Sequence, residues 1–130
     1  MADHPNLTIM KRTLQAFQTG DVPTLGQLMA PDVVWRLPGK RVLSGDYRGQ
    51  QAVFGLFGRL MELTGGTFKV ESLDILANDR GGVLIDRLTA EREGRSLDIR
   101  VMLHLTIRDG LIVEGTDYFR PEHLWDAFWA

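Results

Sequence analysis

The sequence predicts an α+β fold on three observations. Helical periodicity falls in the first half of the chain, with a short β-branched and aromatic strand between the second and third helical runs. Tight glycine-containing turns, Asn78-Asp79-Arg80-Gly81-Gly82, Glu93-Gly94 and Asp109-Gly110, divide the second half into consecutive strands. The row Leu97, Ile99, Val101, Leu103, Leu105, Ile107 is apolar at every second position, so one face of that strand must lie on a core or line an apolar cavity. Helices gathered early and an antiparallel sheet late imply a sheet curled around the helices, with a concave apolar interior suited to a ligand.

Leu7, Met10, Leu14 and Phe17 share one helical face, and Gly20 follows as a stop. Asp21 then caps a second helix with Leu25, Leu28 and Met29 turned inward, and Pro31 limits its length. Val33-Val34-Trp35-Arg36-Leu37 reads as a short strand closed by Pro38-Gly39. Residues 40–49 form a polar, glycine-containing loop, a candidate pocket rim carrying Tyr47. Val53, Phe57, Leu60 and Met61 mark a third helix ending at Gly65-Gly66. Phe68 and Val70 share one strand phase while Leu73 and Ile75 occupy the other, which predicts a bulge near Glu71-Ser72. Leu124, Trp125, Phe128 and Trp129 form an apolar tail that covers part of the body.

Length and composition bound the function. A chain of 130 residues fits one domain, 1–130, large enough for a core without disulfides or metal. A hydrophobic content of 44% with 25% charged residues is that of a soluble globular protein. The net charge of −2 sets nucleic acid aside, and no segment approaches the roughly 20 apolar residues of a membrane span. Without cysteine, and with no secretory pattern at the amino terminus, the expected location is cytoplasmic. Three scattered histidines offer no metal-ligand spacing, and neither a phosphate-binding glycine loop nor a nucleophilic-serine elbow occurs. No metal and no cofactor are expected.

Alternation places Val83, Ile85, Arg87 and Thr89 inward on one strand and Asp117 inward with Val113, Gly115 and Phe119 on the last. A carboxylate in an apolar cavity has its pKa raised and suits acid–base work, while a neighbouring arginine would pull it back down. Arg87 and Asp117 thus admit two readings, a proton-transfer couple or a buried structural pair.

Gly20-Asp21 with Val33 to Gly39, Gly45-Asp46-Tyr47-Arg48-Gly49, and Asp109-Gly110 through Asp117-Tyr118-Phe119 resemble the SnoaL-like branch of the nuclear transport factor 2-like, ketosteroid-isomerase-like cone folds. The resemblance covers nearly the whole chain. It implies a cystatin-like α+β barrel, a curved antiparallel sheet wrapped around amino-terminal helices. Ketosteroid isomerases carry their acid–base groups where this chain has Leu37, Thr13 and Leu103, so that mechanism is not implied. Limonene-epoxide hydrolases match at Arg87 and Asp117 but have an aspartate where Thr89 stands. Polyketide cyclases use a last-strand aspartate, which Asp117 retains.

The resulting expectation is a cofactor-free cyclase, isomerase or hydrolase acting on a small hydrophobic molecule, with Asp117 as acid/base and Arg87 orienting it. Trp35, Tyr47, Phe57, Met61, Thr89, Leu103 and Phe119 are the expected substrate contacts. A non-catalytic ligand-binding or protein-interaction module of the same fold is the alternative. His104 belongs with Asp98, Arg100, Met102 and Thr106 to the opposite strand face, which commonly meets a second subunit in this family, so a homodimer through Arg100, Met102 and His104 is expected.

Overall fold

A computed structural model describes residues 4–130. Helix α1 (Pro5–Thr19) starts where the His4 side chain accepts the Asn6 amide and Pro5 occupies the first turn, and ends at Gly20, whose φ of 69° suits a residue without a side chain. Asp21 caps α2 (Val22–Leu28) by accepting the Thr24 amide. Strands β1 (Met29–Leu37) and β2 (Gly45–Arg48) form a hairpin that leads into α3 (Gln50–Leu63). Four long strands follow, β3 (Lys69–Asn78), β4 (Gly81–Arg92), β5 (Arg95–Arg108) and β6 (Leu111–Arg120), and the short helix α4 (Glu122–Phe128) ends the series.

The six strands make one sheet in the order β2-β1-β6-β5-β4-β3. The α+β class is as expected, but the sheet is mixed. β1 runs parallel to β6, with Trp35 opposite Gly115, while every other neighbouring pair is antiparallel. This pairing is non-local, so nothing in either strand announces it. The polar stretch 40–49 is also more than a loop, because its second half supplies the edge strand β2.

The turns behave as their residues dictate. Glu93 and Gly94, then Asp109 and Gly110, all take positive φ values (50°, 77°, 53° and 78°), the signature of type I′ hairpins. β3 slips register between Ser72 and Asp74, where the phase change in its apolar residues predicts a bulge.

The strand phases position the site. Val83, Leu84 and Ile85 leave the phase of β4 ambiguous, whereas the odd row of β5 is unambiguous: Leu97, Ile99, Val101, Leu105 and Ile107 are all buried. Across the two-residue turn, odd positions of β5 face even positions of β4: Leu97 meets Ala90, Ile99 meets Leu88, Val101 meets Asp86 and Leu103 meets Leu84. Leu84, Asp86, Leu88 and Ala90 therefore point inward. Arg87 and Thr89 turn to the outer face, opposite to the expectation.

The apolar tail folds as α4 and closes one side of the core. Trp125 is buried and stacks on Phe119 at 3.9 Å with 9° between the ring planes, and Trp129 and Phe128 pack beside it. Among the described residues no helix is long and apolar enough to cross a membrane. Because Trp125 is a fully buried ring packed on Phe119 and Trp129, Trp125→Ala should cost about 3–5 kcal/mol, measured as a shift of the urea midpoint; a loss within about 0.5 kcal/mol, the range of ordinary surface substitutions, would mean that α4 does not hold the core.

Candidate functional site

The sheet's inner face and the helices packed on it enclose a cavity of about 70 Å³. Its walls are almost entirely apolar, and two carboxyl groups enter it, Asp86 from β4 and Asp117 from β6. β5 lies between them. Asp86 pairs across the ladder with Val101, and Asp117 with Leu103 two positions along, so the carboxyls sit diagonally on one concave surface. No lysine, arginine or histidine lines the cavity among the described residues.

Asp117 is held by Trp35, whose indole Nε1–H donates to Oδ2 at 3.1 Å. The bond depends on Gly115. β1 lies against β6 there, and a Cβ on Gly115 would come within 2.7 Å of the Trp35 ring. Phe57 packs against the indole in an edge-to-face contact, with centroids 5.3 Å apart at 88°. The tryptophan is thus placed by the missing side chain at Gly115 and the ring of Phe57.

Burial raises the pKa of Asp117 to about 7; the Trp35 hydrogen bond acts in the opposite direction, and the nearby Asp86 raises it further. The side chain lines the cavity and is half-buried. Asp86 is only 3% exposed, and its Oδ1 has no hydrogen-bond partner among the described residues. Desolvation raises its pKa to about 6. Near neutral pH the two groups are poised to take up or release protons.

Arg87 and Asp117 are not a couple. Arg87 lies on the outer face in a two-pronged pair with Asp98, at 2.9 and 2.7 Å, with Glu71 at 3.9 Å. Thr89 shares that face, opposite Asp98, and does not line the cavity. Tyr47 donates its hydroxyl to the Leu43 carbonyl at 2.6 Å and is also absent from the walls. Met61 borders a separate groove. Trp35, Phe57, Leu103, Phe119 and Asp117 are brought together at the cavity. So are Leu37 and Thr13, the positions at which the isomerases carry their reactive groups. The residue missed from the sequence is Asp86. Its signal was present, since the two-residue turn at Glu93-Gly94 obliges an even position of β4 to face the odd row of β5.

A model of the SnoaL-like domain matches residues 10–115. The uncharacterized protein Rv0034 of Mycobacterium tuberculosis is 35% identical over 131 residues, covering 100% of both chains. Among solved structures, Bal32a from a soil-derived mobile gene cassette superposes with a TM-score of 0.93 at 36% identity over 97% of each chain. A protein of unknown function with a cystatin-like fold from Xanthomonas campestris gives 0.90 at 33% identity, covering 96% of this chain and 98% of that one.

Raised carboxyl pKa values have a direct consequence for stability. The unfolded chain releases these protons near pH 4, while the folded chain keeps them until about 6 and 7. Over that interval the native state binds more protons, so stability falls as pH rises from about 4 to 7 and levels off above. Urea midpoints across this range should decline, and Asp117→Asn should flatten the decline; a flat wild-type profile would show that the carboxyls ionise normally.

Proposed function

The chain belongs to the SnoaL-like domain family, and from that premise we propose that it is a cofactor-free enzyme that moves protons on a small, uncharged, hydrophobic molecule. The observation carrying this reading is the pair of carboxyls, Asp117 and Asp86, facing one apolar cavity with pKa values raised to about 7 and about 6. Asp117 is the acid/base residue, and Asp86 takes the place first expected of Arg87. With one carboxyl ionised and the other protonated, the pair can accept a proton from the substrate at one point and supply a hydrogen bond or proton at another. Cyclisation, isomerisation and hydrolysis all use such a device. Trp35 positions Asp117, and Leu103, Phe57 and Phe119 supply apolar contact. Among the described residues the wall carries no cation to match an anionic substrate, which favours a neutral one.

Exchange of the α-hydrogens of a neutral ketone such as 2-heptanone in heavy water, followed by NMR, tests the proton transfer without knowledge of the natural substrate. Asp117→Asn keeps the shape and should lower the exchange rate by about 10²–10⁴, while Arg87→Gln should leave it unchanged. Exchange that persists in Asp117→Asn would overturn the assignment and leave a binding module.

The outer face supports a homodimer through Arg100, Met102 and His104. Met102 is 39% exposed and Tyr118, its partner across the ladder, 55%, with Leu76 also exposed at 53%. Such apolar side chains on an open sheet face are better covered by a second copy than by water. Met102→Asp should halve the sedimenting mass without unfolding the chain; an unaltered dimer would place the contact elsewhere.

A further inference from the structure

The cavity between Asp86 and Asp117 is too small for most of the molecules its walls would suit. At about 70 Å³ it offers less than half of the roughly 150 Å³ that accepts benzene in an engineered protein cavity. A polar head and a few carbons fit; the rest of a ligand must lie elsewhere. A second space adjoins it. Phe17, Leu25 and Phe57 line the cavity and also line a groove of about 160 Å³ bordered by Val22, Gly58 and Met61. No charged side chain contributes to the groove among the described residues. The partition is one side chain thick: Phe17 and Phe57 meet edge to face with centroids 5.2 Å apart, and both rings are only half-buried. A ligand that spans both spaces must displace one of these rings.

We infer that the groove is a tail subsite: it takes an unbranched alkyl or alkenyl chain whose neutral carbonyl or hydroxyl head reaches Asp86 and Asp117 past the Phe17–Phe57 partition. The head assignment rests on the function proposed above, and the tail assignment rests on the shared wall. Asp86 Oδ1, buried without a partner, is the polar atom in the cavity that such a head can satisfy. The chain replaces water along carbon surfaces on both sides of the partition, so length is the specificity the groove confers. Gly58 keeps it open. It lies exposed on α3, and a Cβ there would meet nothing within 4 Å, so a large side chain can be introduced without disturbing the helix.

Isothermal titration of 2-alkanones from 2-butanone to 2-undecanone tests the subsite. Affinity should rise about fourfold for each methylene that enters the groove. Gly58→Trp should cost 2-undecanone about tenfold or more and leave 2-butanone unchanged. Gly55→Trp, on the same helix with open space around it and outside the groove, should leave both unchanged. Affinity that is flat with chain length, absence of binding by every member, or a Gly58→Trp protein that holds 2-undecanone as tightly as wild type would each overturn the subsite. If the length dependence and its loss in Gly58→Trp hold while Asp86→Asn and Asp117→Asn leave both 2-butanone binding and hydrogen exchange unaltered, the tail subsite stands and the head assignment falls.

Discussion

The antiparallel pairing of β4 with β5 is the constraint on which the cavity depends. The odd row of β5 is apolar throughout, and burial leaves that strand a single choice of face. The type I′ turn at Glu93 and Gly94 then transmits the choice to β4, because Arg92 faces Arg95 and every later pair follows from it. Asp86 comes inward as a consequence. A slip of one residue would bury Arg87 and expose Leu84 and Leu88, exchanging a carboxyl that can shed its charge by protonation for a guanidinium that cannot.

That difference explains how the interior tolerates two acids. An ionised carboxylate in an apolar wall is costly, and the protein answers by shifting the equilibrium toward the neutral acid at both positions. Only Asp117 has a fixed donor, and the geometry that supplies it is expensive in sequence terms: a tryptophan on β1, a glycine opposite it on β6 and a phenylalanine behind it on α3. Asp86 has no such support. One acid is therefore held and the other left unpartnered, the asymmetry on which the proposed proton transfer rests.

The two faces of the sheet divide the labour. Inside, apolar rows from β4, β5 and β6 and the Phe119–Trp125 stack surround the carboxyls with carbon. Outside, Arg87, Asp98 and Glu71 pair in water, where solvent screening leaves such contacts little net effect on stability. The inner rows therefore hold the strands in register, and the outer face leaves Met102 and Tyr118 exposed.

The sequence by itself determined the α+β class, the first three helices, the hairpin turns, the bulge in β3 and the inward direction of Asp117, because each is written in local periodicity or in residues with special backbone preferences. Trp35, Phe57, Leu103 and Phe119 were legible as apolar wall on the same grounds. Tertiary structure alone decided the parallel contact of β1 with β6, which brings Trp35 to Asp117 across a glycine, and the covering of the core by α4. That Asp86, not Arg87, shares the cavity lies between the two, because the turn at Glu93 and Gly94 is written in the sequence while the phase of β4 follows only from its pairing with β5. Along β4 both phases are apolar enough to be buried, so its own side chains could not choose between them; the neighbouring strand, joined through a two-residue turn, made the choice.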